Sequence, residues 1–269
     1  MLTVFNKLVS TLKYLWLSVC YNVKESVSNK KSFIIQTIAM FINNFVFVFF
    51  WQILFNNKGG SINGVNIQDI LYLWSIPTIG YGIAFFCFGG IDTLCRDIFD
   101  GNLDIYLTKP KHSLISVLTS RSILSAMGDL LFGIVVGMIA VKFNPFKILA
   151  ILALGLMAGV LTTSILTSVK LLCFWLGDIS NATQKYTHSL FITLTIYPEK
   201  MFPEIIKVVM YTAIPAAYVA HVPVGLMKEF SLSGILIMLG ATVFFVTTMF
   251  TLYSKGLKRY ESGNGVTRR

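Results

Sequence analysis

Long apolar runs, separated by short polar or charged segments, set the pattern of this 269-residue chain. A helix that crosses a lipid bilayer needs about 20 predominantly apolar residues. The pattern offers six segments close to that length, and the first carries Trp51 near its far end, where an aromatic belt is expected. The predicted spans are residues 33–54, 70–90, 114–141, 148–169, 180–198 and 235–253.

Two segments compete for the fifth crossing. Residues 180–198 are only moderately apolar, whereas residues 204–226 are more apolar but contain Pro215 and Pro223. With the N-terminus inside, the first choice places 16 of the 22 basic residues on the inner side, and the second places 18 there. Cytoplasmic loops carry an excess of Lys and Arg. Both choices therefore put the two termini in the cytoplasm, and the charge count favours the second.

The first 31 residues form a basic prelude to the first span. Its apolar residues recur at helical spacing and fall within an arc of about 120°, with Lys7, Ser10 and Lys13 outside that arc. They are Phe5, Leu8, Val9, Leu12, Leu15, Trp16 and Val19. The pattern predicts an amphipathic helix in the headgroup plane of the membrane; the alternative is a helix packed on a soluble partner subunit.

Between the second and third spans lies a segment too polar for the hydrocarbon core. Residues 91–112 retain apolar positions among their charges, which is typical of a short helix at the membrane interface. A break is expected at Gly101 and Asn102, and a stop at Lys109 and Pro110. The charged residues are Asp92, Arg96, Asp97, Asp100 and Asp104. A solvated loop and a docking surface for a soluble subunit both fit this pattern.

Composition supports a membrane protein. The chain is 55% hydrophobic and 13% charged, with a mean hydropathy of +0.73, whereas soluble domains carry roughly 25% charged residues. Its net charge is +10, but the basic residues flank apolar runs, so the positive-inside rule explains them better than binding to nucleic acid. The cysteines lack CxxC spacing and are interpreted as small buried hydrophobes, not a disulfide or zinc framework. They are Cys20, Cys87, Cys95 and Cys173.

No catalytic constellation is present in the sequence. His112, His188 and His221 are scattered without metal-ligand spacing. The chain contains neither a GxSxG motif nor a GxxxxGK[ST] phosphate-binding loop. Nucleotide chemistry, if any drives this protein, must therefore be supplied by another chain, or an ion must supply the driving force. No cofactor or metal is expected on this chain.

Two features of the third and fourth spans suggest specific packing and a polar path. The small-residue pairs Gly133/Gly137 and Gly155/Gly159 predict close packing of these two spans on each other. Helical spacing also predicts that three polar residues share one face of the third span. They are Arg121, Ser125 and Asp129. They indicate a translocation path or a subunit interface. For Arg121, however, a side chain that snorkels to the membrane interface is the favoured explanation.

Two stretches resemble a known family of membrane proteins. The stretch DGNLDIYLTKPKHSLISVLTSR resembles the cytoplasmic element after the second span in permeases of bacterial ATP-binding cassette (ABC) transporters of the type-2 exporter class. Its matching residues are Gly101, Leu103, Asp104, Leu107 and Pro110. The segment FWLGD and the stretch that begins at Tyr197 resemble the signature that precedes the last span in that family. The residues that match this signature are Tyr197, Pro198, Phe202, Pro203, Pro215 and Pro223.

The resemblance implies an all-α integral membrane protein. It implies six transmembrane helices, an N-terminal interfacial helix, a cytoplasmic coupling helix between spans 2 and 3, and a Pro-broken re-entrant hairpin before span 6. On that basis the fifth crossing is placed at 180–198 and the hairpin at 203–228. Residues 1–31 are then the interfacial segment, 32–254 a single permease domain, and 255–269 a basic cytoplasmic tail.

The resemblance also implies a function and partners. Two permease subunits, identical or related, pair with two cytoplasmic ATPase subunits that hold ATP and magnesium. The expected activity is export of an amphiphilic peptide, a drug-like or a lipid-like substrate across a bacterial plasma membrane. The expected coupling residues are Asp92, Arg96, Asp97, Asp100, Gly101, Asp104, Lys109 and Pro110. An ATPase-independent channel or ion-driven carrier remains the alternative, and an intramembrane enzyme would need clustered His, Asp or Glu.

Overall fold

The structure is a computed structural model that describes residues 2–176 and 180–260. The end of the predicted tail (261–269) and the Gly177–Asp178 pair of the FWLGD segment lie outside this part of the chain. The described residues form thirteen α-helices and one short hairpin of two strands. The helices are α1 (Leu2–Ser28), α2 (Lys30–Asn57), α3 (Ile67–Cys87), α4 (Leu94–Phe99), α5 (Asp104–Leu107), α6 (Ser113–Leu118), α7 (Ala126–Ala140), α8 (Pro145–Leu171), α9 (Cys173–Leu176), α10 (Ser180–Ile196), α11 (Glu204–Tyr211), α12 (His221–Lys228) and α13 (Leu232–Leu257).

Four helical stretches of the described residues are long and apolar enough to cross a membrane: Lys30–Asn57, Ile67–Cys87, Pro145–Leu176, in which α8 is followed directly by α9, and Leu232–Leu257. They confirm long apolar helices where the first, second, fourth and sixth spans are predicted. Helix α7 is apolar but has only 15 residues, and the more polar α10 has 17. The six crossings therefore stay a prediction.

Helix α3 forms the centre of the bundle, because α7 and α8 pack against it from two sides. Glycines make this close approach possible. A side chain at Gly133 would meet the backbone nitrogen of Ile79 at 2.8 Å, and one at Gly155 would meet the side chain of the same Ile79 at 2.6 Å. The prediction that the two glycine pairs pack spans 3 and 4 directly on each other is thus wrong. Both pairs pack mainly against span 2, which lies between them.

The predicted third span, residues 114–141, is not one helix. Helix α6 ends at Leu118, residues 119–125 are not helical, and α7 begins at Ala126. A contact with another helix accompanies the break. The backbone N–H of Ile123 donates instead to the carbonyl of Phe85 at the end of α3 (3.1 Å).

The segment before the last span also breaks as its prolines predict. Helix α11 follows Pro203, and residues 212–220, which include Pro215, separate it from α12. Proline lacks a backbone N–H and its ring clashes with the preceding turn, so a helix stops there. Residues 204–226 therefore do not form one continuous helix. We call residues 203–228 the hairpin.

The N-terminal helix α1 lies along the short helix α6. Tyr14 OH donates to Ser116 Oγ (3.1 Å), and the side-chain amide of Asn22 donates to the carbonyl of Thr119 (3.0 Å). Trp16 is 70% exposed on the outer side of α1. The structure thus has a helix where the amphipathic helix is predicted. An exposed tryptophan on it is typical of a surface that contacts lipid headgroups.

The interpretation of the cysteines was wrong for one pair. Cys95 of α4 and Cys173 of α9 form a disulfide, with their Cα atoms 5.8 Å apart. The two cysteines are 78 residues apart in sequence, so the sequence pattern does not predict that they are close. They come together because α4 folds back beside the end of α8. Cys20 and Cys87 are free thiols.

Candidate functional site

The polar segment after α3 folds into two short helices anchored in the bundle. We call residues 92–110 the elbow. Helix α4 turns into α5 at Gly101, whose φ of +78° lies in the left-handed region that favours glycine. Leu94 and Leu103 are fully buried, and the N–H of Leu103 donates to the carbonyl of Asp97 (3.1 Å). The elbow is thus a fixed structural element of the bundle and not a loose loop.

The predicted coupling residues do not all face outward. Asp97 is buried and accepts a hydrogen bond from Thr93 Oγ1 (2.9 Å), so this carboxylate stabilises the elbow from within. Asp92, Arg96 and Asp100 are exposed. Asp104 is half-buried near Tyr260, and burial, together with this carboxylate, raises the pKa of the Tyr260 phenol to about 12.

Apolar side chains are exposed on the same elbow. Ile105 is 62% exposed and Leu107 is 39% exposed, beside the exposed Lys109 and Pro110. The ammonium group of Lys109 lies 4.7 Å from the centre of the Tyr106 ring. Apolar side chains flanked by charges, on a rigid and polar element, are typical of a surface that another protein covers. The charge pattern alone did not single out Ile105.

The elbow is connected to the last helix and to the first. His112 packs against the rings of Phe250 and Tyr253 of α13, and Ser113 Oγ is hydrogen-bonded to Tyr253 OH (2.6 Å). Partial burial lowers the pKa of His112, because the charged imidazolium would lose water there. Lys111 donates to Ser10 Oγ of α1. The residues that directly follow the elbow therefore contact both α1 and α13.

A cavity of about 410 Å³ lies beside the elbow end of α3. Helices α2, α3, α7 and α10 line it, and it follows α10 for about 12 Å from His188 to Ile196 at a rise of 1.5 Å per residue. Its polar lining residues are Asn43, Asn44, Thr78, Tyr81, Asp92, Ser125, Asp129 and His188. Its aromatic lining residues are Phe47, Trp74, Tyr81 and Phe85.

A short hydrogen bond in this cavity joins α2 and α7. The side-chain amide of Asn44, in the middle of α2, donates to a carboxylate oxygen of Asp129 at 2.6 Å. Both residues are buried, at 4% and 9% exposure. The sequence pointed to Asp129 but missed its partner, although an asparagine within an apolar span was the available signal.

The structure separates the three polar residues predicted on one face of the third span. Ser125 and Asp129 both line the cavity. Arg121 is exposed in the non-helical segment before α7, and its carbonyl packs against Gly89, where an added Cβ would lie 2.8 Å away. The common helical face assumed for the three residues does not exist, because the helix is interrupted between them.

A second cavity extends the first toward the opposite end of the bundle. It has a volume of about 300 Å³ and shares Phe47, Trp74 and Ile196 with the first cavity. It then reaches Trp51 and Tyr197, whose rings are 6.2 Å apart. The two cavities therefore adjoin at these shared residues. We call the pair of adjoining cavities, which lies between the elbow and the hairpin, the route.

The route contains polar atoms without partners in the described part of the chain. The indole nitrogen of Trp74 and Nε2 of His188 are both buried and make no hydrogen bond there. Native proteins rarely leave buried polar atoms unsatisfied, so such atoms indicate a place for water or a ligand. Both residues line the larger cavity.

Ionic and polar contacts hold the hairpin on the bundle. Lys228 at the end of α12 forms an ion pair with Asp69 in the first turn of α3 (2.8 Å). His221 Nε2 is hydrogen-bonded to the carbonyl of Leu194 of α10 (3.0 Å). Pro198, Pro215 and Pro223 are buried. Of the predicted hairpin residues, Tyr197 lines the second cavity, whereas Pro203 is exposed and lines neither cavity.

Comparison with known proteins gives one result. The family described as "ABC-2 family transporter protein" matches residues 41–264. No curated protein and no solved structure matches the chain. The matched range takes in α3, the elbow, the cavities and the hairpin. Because this family match covers most of the chain, it confirms the resemblance seen in the sequence, and the protein belongs to the ABC-2 family of membrane transport components as a permease subunit of an ABC transporter.

Proposed function

We propose that this permease subunit exports an amphiphilic substrate and is driven by a separate ATPase that docks on the elbow. The observation that carries this proposal is the pair of exposed apolar side chains, Ile105 and Leu107, on an element fixed by the buried Leu103. ATP and magnesium belong to the ATPase. A second permease subunit, identical or related, completes the assembly.

The proposed mechanism is alternating access. Closure of an ATPase dimer moves the elbow, and the contacts of His112 with α13 and of Lys111 with α1 pass this movement to the rest of the chain. The aromatic route between elbow and hairpin then opens to one side of the membrane or the other. The ATPase must bind the two states of the permease with different affinity, since otherwise it cannot shift their populations.

The proposed topology has six crossings, with α7 as the third and α10 as the fifth, and both termini in the cytoplasm of a bacterium. The excess of basic residues on the elbow side supports this orientation. The Cys95–Cys173 disulfide on the same side favours the opposite orientation, because disulfides persist mainly in oxidising compartments. Membrane-impermeant labelling of an Asn102→Cys variant in intact cells decides between them: protection supports the proposal and labelling contradicts it.

The partner is tested by purification in mild detergent. If the proposal is right, an ATPase with a phosphate-binding loop copurifies with the wild-type chain, and its turnover changes when the permease is present. The alternative is a channel or ion-driven carrier. Solute flux through the purified chain in vesicles without any nucleotide would support that alternative and contradict ours.

A further inference from the structure

The larger cavity carries acidic charge in a basic protein. Two carboxylates, from Asp92 and Asp129, line it, and the described lining residues include no Lys or Arg. The whole chain has 22 basic and 12 acidic residues. Chance placement would therefore favour a positive lining, and the observed lining is the opposite.

The two carboxylates differ in how far they are neutralised. Lys170 lies close enough to Asp92 to interact with it electrostatically. Asp129 forms no ion pair with any described residue, and it accepts a hydrogen bond from the neutral side-chain amide of Asn44. Removing a charge from water is costly unless another charge or several hydrogen bonds compensate for it. Asp129 is therefore the position in the cavity where a bound positive group has the most favourable interaction energy.

Aromatic rings surround the same space. Phe47 stacks on Trp74 with ring centres 5.3 Å apart, and Tyr81 stacks on Phe85 at 6.3 Å. The faces of aromatic rings attract cations and also provide apolar surface. The volume of about 410 Å³ lies within the usual range for small-molecule sites. The cavity thus combines one uncompensated carboxylate with a large apolar and aromatic wall.

We propose that this cavity binds a lipophilic organic cation, with its positive centre at Asp129 and its apolar groups against Trp74 and Phe47. This inference rests on the proposed function and narrows its substrate class. Asn44 orients the carboxylate by its hydrogen bond and so acts as a positioning residue. A neutral amphiphile of the same size gains the apolar contacts but not the charge interaction.

The test uses tetraphenylphosphonium and tetraphenylborate, two ions of the same shape and opposite charge. Binding of each radiolabelled ion to the purified full-length chain, with its copurified ATPase, is measured by equilibrium dialysis. We expect the phosphonium to bind and the borate not to displace it. Asp129→Asn keeps the size of the side chain but removes the charge, and we expect it to weaken phosphonium binding by at least about tenfold. Asp129→Glu should restore most of the binding.

The matched control is Glu204→Gln, which removes an exposed carboxylate outside the cavity and should leave binding unchanged. Equal binding of both ions, or unchanged phosphonium binding in Asp129→Asn, would overturn the proposal. If Asp129→Asn does not fold, Trp74→Leu should weaken binding several-fold and Trp74→Phe should not; equal binding by these two variants would also overturn it. Equilibrium dialysis measures binding without ATP turnover. A negative result for cation binding can therefore be distinguished from a failure of the proposed ATPase coupling.

Discussion

If the ATPase docks on the elbow, shortening the side chain of Ile105 should measurably lower the affinity for the ATPase. Ile105→Ala removes three side-chain carbons from a residue that is 62% exposed in the isolated chain. Burial of a carbon contributes about 0.8 kcal/mol, so covering this exposed fraction contributes about 1.5 kcal/mol. That free energy corresponds to a roughly tenfold change in affinity. We expect the ATPase concentration needed for half-maximal stimulation to rise about tenfold in this variant.

Two controls separate docking from folding. Ile38→Ala removes the same carbons from a 52% exposed position on α2, far along the chain from the elbow, and should leave the titration unchanged. Leu103→Ala empties a fully buried position and should lower the free energy of unfolding by about 2–5 kcal/mol. The reasoning is refuted if Ile105→Ala and Ile38→Ala give the same half-maximal ATPase concentration.

Three further predictions follow from the packing. Gly90→Ala places a Cβ against the carbonyl of Val117, and we expect a loss of about 1–3 kcal/mol in stability; Gly225→Ala, which meets open space, should have no such effect in the same thermal-unfolding assay. Lys228→Met leaves the carboxylate of Asp69, whose side chain is only 11% exposed, without its ion partner, so we expect a loss of about 1–3 kcal/mol in stability, and an unchanged apparent Tm contradicts this contribution. In protein purified under oxidising conditions, alkylation followed by mass spectrometry should leave the Cys95–Cys173 pair unmodified until a reductant is added.

The sequence was sufficient to predict those elements whose conformation depends on residues close by in the chain. The long apolar runs became α2, α3, α8 and α13, because a bilayer requires continuous apolar helices whatever their packing. Gly101 marked the turn between α4 and α5, since its positive φ is a local property of the backbone. Pro215 marked the break in the hairpin for a similar local reason.

The tertiary structure decided what depends on partners distant in sequence. Helical periodicity predicted one helix through Arg121 and Asp129, but this helix is interrupted where Ile123 contacts the end of α3. Asn44 and Asp129 meet across 85 residues, and Cys95 and Cys173 across 78. Periodicity reports the environment of each residue within its own helix, whereas the pairing of helices depends on shape complementarity between them. The sequence by itself therefore determined that this is a bundle of apolar helices with a polar elbow, and only the packing around α3 placed a carboxylate in an aromatic cavity.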